Sequence, residues 1–169
     1  SGDAGDVARL IERAERLALA ERPTWHRLMH YLPEGGGVLS EVDSGNFFLA
    51  PDGRRDPAAE LAASLRAFAR PAESTLGPRA EHPQCRFIGR YRWLAKQLEP
   101  APGTLPEVEC RQFEQWREAI APHRAALVFP AAYLNNPSSM FGHTLLRIDP
   151  PPDARRGELT AYAINFAAQ

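Results

Sequence analysis

The sequence predicts an α+β fold, in which a helical front region with a small β-hairpin precedes an antiparallel sheet. Apolar residues recur at helical spacing through most of residues 6–121. The run Gly35-Gly36-Gly37 interrupts them before a hairpin pattern. From residue 125 onwards, short segments alternate apolar and polar residues, which is the period of a strand. We therefore predict a mainly helical accessory region at 1–124 and a sheet-forming domain at 125–169.

The front region opens with an amphipathic helix over 6–20, where apolar residues return every third or fourth position. Asp6 is a suitable N-cap for this helix, and Pro23 stops the pattern. A short second helix is predicted over 25–31.

The hairpin is predicted from two short apolar runs, at 38–42 and 46–50. They flank Asp43-Ser44-Gly45, a typical turn sequence. Pro51-Asp52-Gly53 then ends the second predicted strand.

Three further helices are predicted before the sheet, over 56–69, 85–98 and 109–121. In the first of them Asp56 caps the helix and Pro57 occupies its first position. Proline-rich linkers over 71–83 and 100–106 separate the three helices. Three tryptophans are expected to anchor the core of the helical region, namely Trp25, Trp93 and Trp116.

The sheet is predicted from an apolar strand over 125–129 and alternating strands over 144–148 and 159–166. A loop over 150–157 joins the last two strands. Alternation puts His143, Leu145 and Arg147 on one face and the apolar Leu146 and Ile148 on the core face. So short a sheet leaves an unpaired edge, so we expect it to be part of a larger one.

Composition excludes several classes of protein. The chain has 169 residues, of which 44% are hydrophobic and 24% charged, as in an ordinary globular domain. A formal net charge of −1 gives no basic field for nucleic acid. No apolar run approaches the ~18 residues of a membrane span, and the polar opening Ser-Gly-Asp-Ala-Gly-Asp is no signal peptide. The two cysteines, Cys85 and Cys110, fit either a disulfide or two buried thiols.

The strongest catalytic candidate is His143, which follows a polar loop and opens a predicted strand. Histidine exchanges protons near neutral pH, and the neighbouring Gly142 lets a substrate approach the ring closely. The loop could orient a carbonyl or stabilise an oxyanion through Tyr133, Asn135, Asn136, Ser138 and Ser139. The structural alternative is a helix-capping turn before a hydrogen-bonded histidine at a strand end.

Asn165 is a second catalytic candidate, because an amide can fix the tautomer of a catalytic histidine. It lies among small apolar residues on one face of the last predicted strand. An ordinary polar residue near a strand end is the alternative interpretation.

Other polar residues favour structural roles. His26 and His30 have the spacing of zinc ligands but lack a third ligand, so we predict no metal and expect one packed and one surface histidine. His82 and His123 stand beside prolines in linkers and are expected at the surface. Arg86 and Arg90 are expected on a solvated, salt-bridged helix face.

Three segments carry a family resemblance. The run LNNPSSMFGHTLLRID at 134–149, the Cys-Arg-Phe segment at Cys85 and the Cys-x-x-Phe-x-x-Trp segment at Cys110 resemble the Lnb-type N-terminal periplasmic domain of bacteria. The resemblance extends from about Trp25 to the C-terminus. That family is similar to circularly permuted papain-like (NlpC/P60-like) cysteine enzymes, and some members act as lipoprotein N-acyltransferases.

The resemblance implies a cysteine-dependent acyl-transfer enzyme in the periplasm of a Gram-negative bacterium, without a cofactor. His143 would be its general base, and a phospholipid and a lipoprotein would be its substrates. The periplasmic setting favours a Cys85–Cys110 disulfide. The family's nucleophile stands in a downstream Asn-Cys motif, and no cysteine follows His143 here. We therefore expect an N-terminal portion that is inactive alone, whose partner is the rest of its own chain and whose membrane association depends on other segments.

Two alternatives to this function stay open. An NlpC/P60-like amidase or peptidase acting on cell-wall peptide would share the base and the nucleophile and differ in its acceptor. A non-enzymatic docking module is the other alternative, with a helical accessory region beside a structural sheet.

Overall fold

A computed structural model describes residues 4–77, 80–128, 144–151 and 162–166 of the chain. The chain divides into two units, Ser1–Cys110 and Arg111–Gln169. Within the described residues, the first unit is helical with a two-stranded sheet, and the second contains one helix and a three-stranded sheet. The predicted α+β class is confirmed.

The N-terminal unit contains five helices and one hairpin within its described residues. Their order is α1 (Ala4–Arg16), α2 (Pro23–Met29), β1 (Tyr31–Glu34), β2 (Gly37–Ser40), α3 (Pro57–Phe68), α4 (Pro83–Arg86) and α5 (Ile88–Leu98). Short 3₁₀ turns cover Leu19–Glu21 and Gly45–Phe47. The predicted cap of α3 is confirmed, since the Asp56 carboxylate accepts hydrogen bonds from the backbone N–H groups of Ala58 and Ala59 at 3.0 and 2.9 Å.

The core of this unit lies where α1, α2, α3 and α5 meet. Its largest fully buried apolar side chains are Trp25, Phe68, Leu19, Met29, Leu65, Leu94 and Leu98. Trp25 stacks on Trp93 at a ring-centroid distance of 5.8 Å and donates its indole N–H to the carbonyl of Pro57 at 3.0 Å. These two tryptophans therefore anchor the core as predicted.

The hairpin lies earlier in the chain than predicted. Strand β1 pairs antiparallel with β2, so that Glu34 faces Gly37 across a two-residue turn. Gly35 and Gly36 both have positive φ, 54° and 84°, which is what a tight hairpin turn requires. The predicted strand at 38–42 corresponds to β2, which covers Gly37–Ser40, whereas the predicted strand at 46–50 is absent. The glycine pair supplies the turn more readily than Asp43-Ser44-Gly45.

Two predicted helices end or break early at single residues. Ala18 adopts a left-handed conformation, with φ 49°, so α1 ends at Arg16 and does not reach Ala20. Phe87 leaves the helical region, with φ −115° and ψ 44°, so the predicted helix 85–98 is split into α4 and α5.

The C-terminal unit begins with α6 (Arg111–Ile120) and continues with β3 (Arg124–Val128), β4 (Thr144–Asp149) and β5 (Tyr162–Phe166). The strands form one antiparallel sheet in the order β3-β4-β5, so β4 is central. The three predicted strands are present, within the described part of each. Trp116 on α6 is 53% exposed and is therefore not the core anchor that was predicted.

The units divide between Cys110 and Arg111, so α6 belongs with the sheet. The division into a mainly helical accessory region at 1–124 and a sheet-forming domain at 125–169 stays a prediction. None of the helices formed by the described residues is long and apolar enough to cross a membrane.

Candidate functional site

The C-terminal sheet brackets the loop that the sequence singles out. Val128, the last residue of β3, pairs with Leu145, the second residue of β4. The last residue of β3 and the first residues of β4 therefore lie side by side at one end of the sheet. Thr144, the first residue of β4, directly follows His143 in the sequence.

Most of the predicted site residues lie outside the described residues. These are His143 and the loop residues Tyr133, Asn135, Asn136, Ser138 and Ser139. Their roles as base and substrate-binding groups stay predictions.

Asn165 is the one predicted catalytic residue whose backbone position is described. It lies on β5 and pairs with Leu145 of β4. Directly paired residues of an antiparallel ladder project from the same face of the sheet. Asn165 therefore shares a face with Leu145, which stands two positions after His143 in the sequence.

The opposite end of β4 carries an ion cluster. The Asp149 carboxylate accepts from the Arg124 guanidinium at 2.9 and 3.0 Å and from Arg147 at 3.2 Å. These hydrogen bonds, chiefly those from Arg124, lower the pKa of Asp149. Five residue steps of strand, about 17 Å, separate Asp149 from Thr144. The cluster therefore lies at the end of β4 away from Thr144.

The face expected to pack on a core is only partly covered. Leu146 and Ile148 are half-buried, and Leu127, which pairs with Leu146, is 64% exposed. The prediction that this face packs on a core therefore stays a prediction, because an apolar alternation identifies a face but not the element that covers it.

The predicted disulfide between Cys85 and Cys110 is confirmed, with a Cα–Cα distance of 5.1 Å. It joins α4 to the last residue of the N-terminal unit. The chain has only these two cysteines, so no thiol within residues 1–169 is free to act as a nucleophile.

Sequence reasoning missed a buried polar network in the N-terminal unit. Glu60 on α3 is fully buried, and its carboxylate accepts from Arg90 at 2.9 Å. It also accepts from the backbone N–H groups of Leu49 and Ala50, at 2.9 and 2.8 Å. Burial raises the pKa of Glu60, while the hydrogen bonds from Ala50, Leu49 and Arg90 oppose that rise.

Arg90 is 4% exposed, so the prediction of a solvated arginine face is wrong. Its guanidinium lies over the rings of Phe47 and Phe87, at 4.2 and 4.3 Å, and donates to the carbonyl of Phe47 at 2.7 Å. Burial lowers its pKa to about 10. The four-residue spacing to Arg86 favours a surface face, and Phe87, three positions before Arg90, is the one local signal of a cation–π contact.

The network ties the loop after the hairpin onto the helices. Glu60 holds the backbone of Leu49 and Ala50, and Arg90 holds that of Phe47. Every partner lies within the protein and the carboxylate is closed to solvent. The Glu60–Arg90 network therefore has a structural role, because its buried carboxylate has no open position for a substrate.

The four histidines that precede His143 in the chain differ in their exposure. His26 is half-buried with its ring Nε2 3.0 Å from the carbonyl oxygen of Ala20, and His30 is exposed, as predicted. No metal-binding cluster occurs among the residues that the structure describes. His123 is exposed as expected, but the surface prediction is wrong for His82, which is 5% exposed. The His82 ring caps α4 by accepting from the Gln84 N–H at 3.2 Å, and burial lowers its pKa.

Two protein-family models match the chain. Residues 17–97 match a domain of unknown function (DUF7843), and residues 112–169 match the Lnb N-terminal periplasmic domain. The predicted resemblance is thus confirmed for 112–169, while most of the upstream region matches a separate domain. Comparison with curated proteins and with solved structures gives no match. The periplasmic-domain match and the disulfide together indicate an extracytoplasmic location.

Proposed function

Since residues 112–169 match the Lnb N-terminal periplasmic domain, we propose that this chain supplies the histidine of a cysteine-dependent acyl-transfer enzyme in a Gram-negative cell envelope. The family match is the observation that carries the proposal. It covers both the loop around His143 and the strand that bears Asn165.

The reaction would proceed in two acyl transfers. His143 first removes the proton of a cysteine thiol, and the thiolate attacks an acyl ester carbonyl of a phospholipid. The ester bond breaks, the leaving alkoxide takes the proton from His143, and the acyl chain remains as a thioester. The N-terminal amine of a lipoprotein then attacks the thioester and gives a proton to His143. The thiolate leaves as the amide bond forms.

Asn165 would orient the imidazole in this scheme. Its side-chain oxygen would accept the N–H of the ring nitrogen that does not face the thiol, which fixes the tautomer. The pairing of Asn165 with Leu145 supports this role, because it gives Asn165 the face that a strand alternation assigns to His143. The loop residues Tyr133, Asn135, Asn136, Ser138 and Ser139 would bind the acyl carbonyl and its oxyanion.

The proposal needs a nucleophilic cysteine that residues 1–169 do not provide. Cys85 and Cys110 are bonded to each other, and the chain has no other cysteine. The proposal therefore requires a cysteine elsewhere in the protein, and it predicts that residues 1–169 alone turn over no ester or thioester. The proposal needs no cofactor, since the base and the thiol suffice for both steps.

The test uses the complete protein with a phospholipid that carries a labelled acyl chain. A thioester intermediate should appear as protein-bound label that neutral hydroxylamine releases. His143→Ala should reduce labelling by roughly a hundredfold or more, in the range expected for general-base loss. His123→Ala removes an exposed histidine of the same unit and is the matched control.

The outcomes separate the competing functions. Labelling that depends on His143 but not on His123 supports acyl transfer. Cleavage of cell-wall peptide with the same histidine dependence, without acyl labelling, would instead identify an amidase. Equal labelling of the His143→Ala variant and the unchanged protein would remove the catalytic role and leave a docking module.

A further inference from the structure

A groove on the N-terminal unit plays no part in the acyl-transfer chemistry proposed above. It lies between α1 and the C-terminal end of α3, and its volume is about 550 Å³. Small-molecule sites typically occupy ~300–1,000 Å³. The groove is therefore large enough to hold a ligand of its own.

The floor of the groove is apolar. Ala4, Val7, Ala8 and Ile11 line it from α1, at the i, i+3, i+4 and i+7 positions of one helix face, and Ala69 lines it from the end of α3. The stretch from Ala4 to Ile11 spans about 10 Å along the helix axis. Val7 and Ile11 are only half-buried, so this strip of apolar surface remains accessible.

The rim of the groove is cationic. Arg66 and Arg70 lie one helical turn apart, and both are exposed. Neither side chain has a hydrogen-bond or ion-pair partner in the part of the chain that the structure describes. Two like charges at this spacing repel each other, and an anion between them would relieve the repulsion. Glu12 is the acidic lining residue, and it pairs with neither arginine in the described structure.

We propose that this groove binds a single-chain amphiphile with an anionic head group, such as a medium-chain carboxylate. The alkyl chain would lie along the α1 face and the carboxylate would meet Arg66 and Arg70. A planar guanidinium fits a carboxylate bidentately, which makes arginine the better partner for such a head group. The inference rests on the N-terminal unit alone and holds whether or not the C-terminal unit is an acyltransferase.

The test titrates decanoate into the complete protein by calorimetry, at concentrations below micelle formation. Decyltrimethylammonium has the same chain with a cationic head and is the ligand control. We expect one decanoate per chain and much weaker binding of the cation. The Kd for decanoate should also rise with ionic strength, because the arginines are exposed.

Three variants locate the site. Arg66→Gln/Arg70→Gln should raise the Kd for decanoate roughly tenfold or more. Arg13→Gln/Arg16→Gln removes the same charge from exposed positions outside the groove and should leave the Kd within about twofold. Ala8→Phe fills the groove from an exposed helix position and should abolish binding, while circular dichroism checks that the helices persist.

Several results would overturn the proposal. The proposal fails if decanoate does not bind, or if decyltrimethylammonium binds equally well. It also fails if a folded Ala8→Phe variant binds decanoate as the unchanged protein does. Arginine-dependent binding to anionic lipid vesicles without binding of monomeric decanoate would also overturn it, in favour of a membrane-facing surface.

Discussion

The Glu60–Arg90 ion pair gives the sharpest stability prediction. Arg90→Met keeps an unbranched side chain but removes the donor 2.9 Å from the Glu60 carboxylate and the donor 2.7 Å from the Phe47 carbonyl. Glu60 would keep its two backbone donors, from Leu49 and Ala50. Its charge would nevertheless stay fully buried without a counter-ion.

The expected cost follows from that burial. Removing one partner of a buried ion pair costs about 3–5 kcal/mol, because the remaining charge is left uncompensated. The two backbone hydrogen bonds keep part of the compensation, while the lost stacking on Phe47 and Phe87 adds to the cost. We expect Arg90→Met to lower the free energy of unfolding by about 4 kcal/mol.

Urea unfolding followed by far-UV circular dichroism measures the change. Arg55→Met is the matched control, because its pair with Glu34 is slightly shorter than the Arg90–Glu60 pair, 2.7 against 2.9 Å, but its side chain is 65% exposed. That control should cost no more than about 1 kcal/mol. Without Arg90 the pKa of Glu60 rises further, so the destabilisation should be smaller at pH 5 than at pH 8. A cost for Arg90→Met as small as that for Arg55→Met would refute the reasoning.

Three other changes test separate features of the N-terminal unit. Gly53→Ala should lower the free energy of unfolding by about 1–3 kcal/mol, because the added Cβ would lie 2.3 Å from the buried Glu60 carboxylate. Gly45→Ala is the control, since its Cβ meets open space and should change thermal unfolding little. Burial lowers the folded-state pKa of His82. The stability that the unchanged protein has over His82→Asn should therefore shrink as pH falls through about 6.5, in unfolding curves taken from pH 8 to 5.5. A difference that stays constant with pH would contradict a buried, neutral His82. Cys85→Ser/Cys110→Ser removes a disulfide between residues 25 apart and should lower the free energy of unfolding by about 3.5 kcal/mol. Thiol counting on the denatured, unreduced protein should first find no free thiol.

Local signals predicted the regular elements well. Asp56 and Pro57 mark the start of α3 because a cap and a fixed φ act within a few residues. The three C-terminal strands follow from the period of their side chains. The turn of the hairpin was predicted in the wrong place because the sequence contains two turn motifs. The turn forms at Gly35 and Gly36, which both adopt positive φ.

The buried network could not be predicted in the same way. Glu60 and Arg90 are thirty residues apart, and their charges pair only after α3 and α5 have packed. From the sequence alone, charged residues at helical spacing are most simply interpreted as a solvated helix face. The candidate catalytic site rests on a sequence motif around His143, and the described strands add only that Asn165 pairs with Leu145.

The disulfide has a mechanical consequence. Tension applied to the chain at Arg111 reaches Cys110 and passes through the sulfur atoms to Cys85, which bypasses the backbone of residues 86–109. Helix α5 and the segment after it therefore carry none of that load, and a proteolytic cut between them leaves the two pieces joined. Pulling from the C-terminal side can extend the N-terminal unit only through residues that precede Cys85. Reduction would return all of residues 86–109 to the loaded path, so the length gained in forced unfolding reports directly on the state of this one bond.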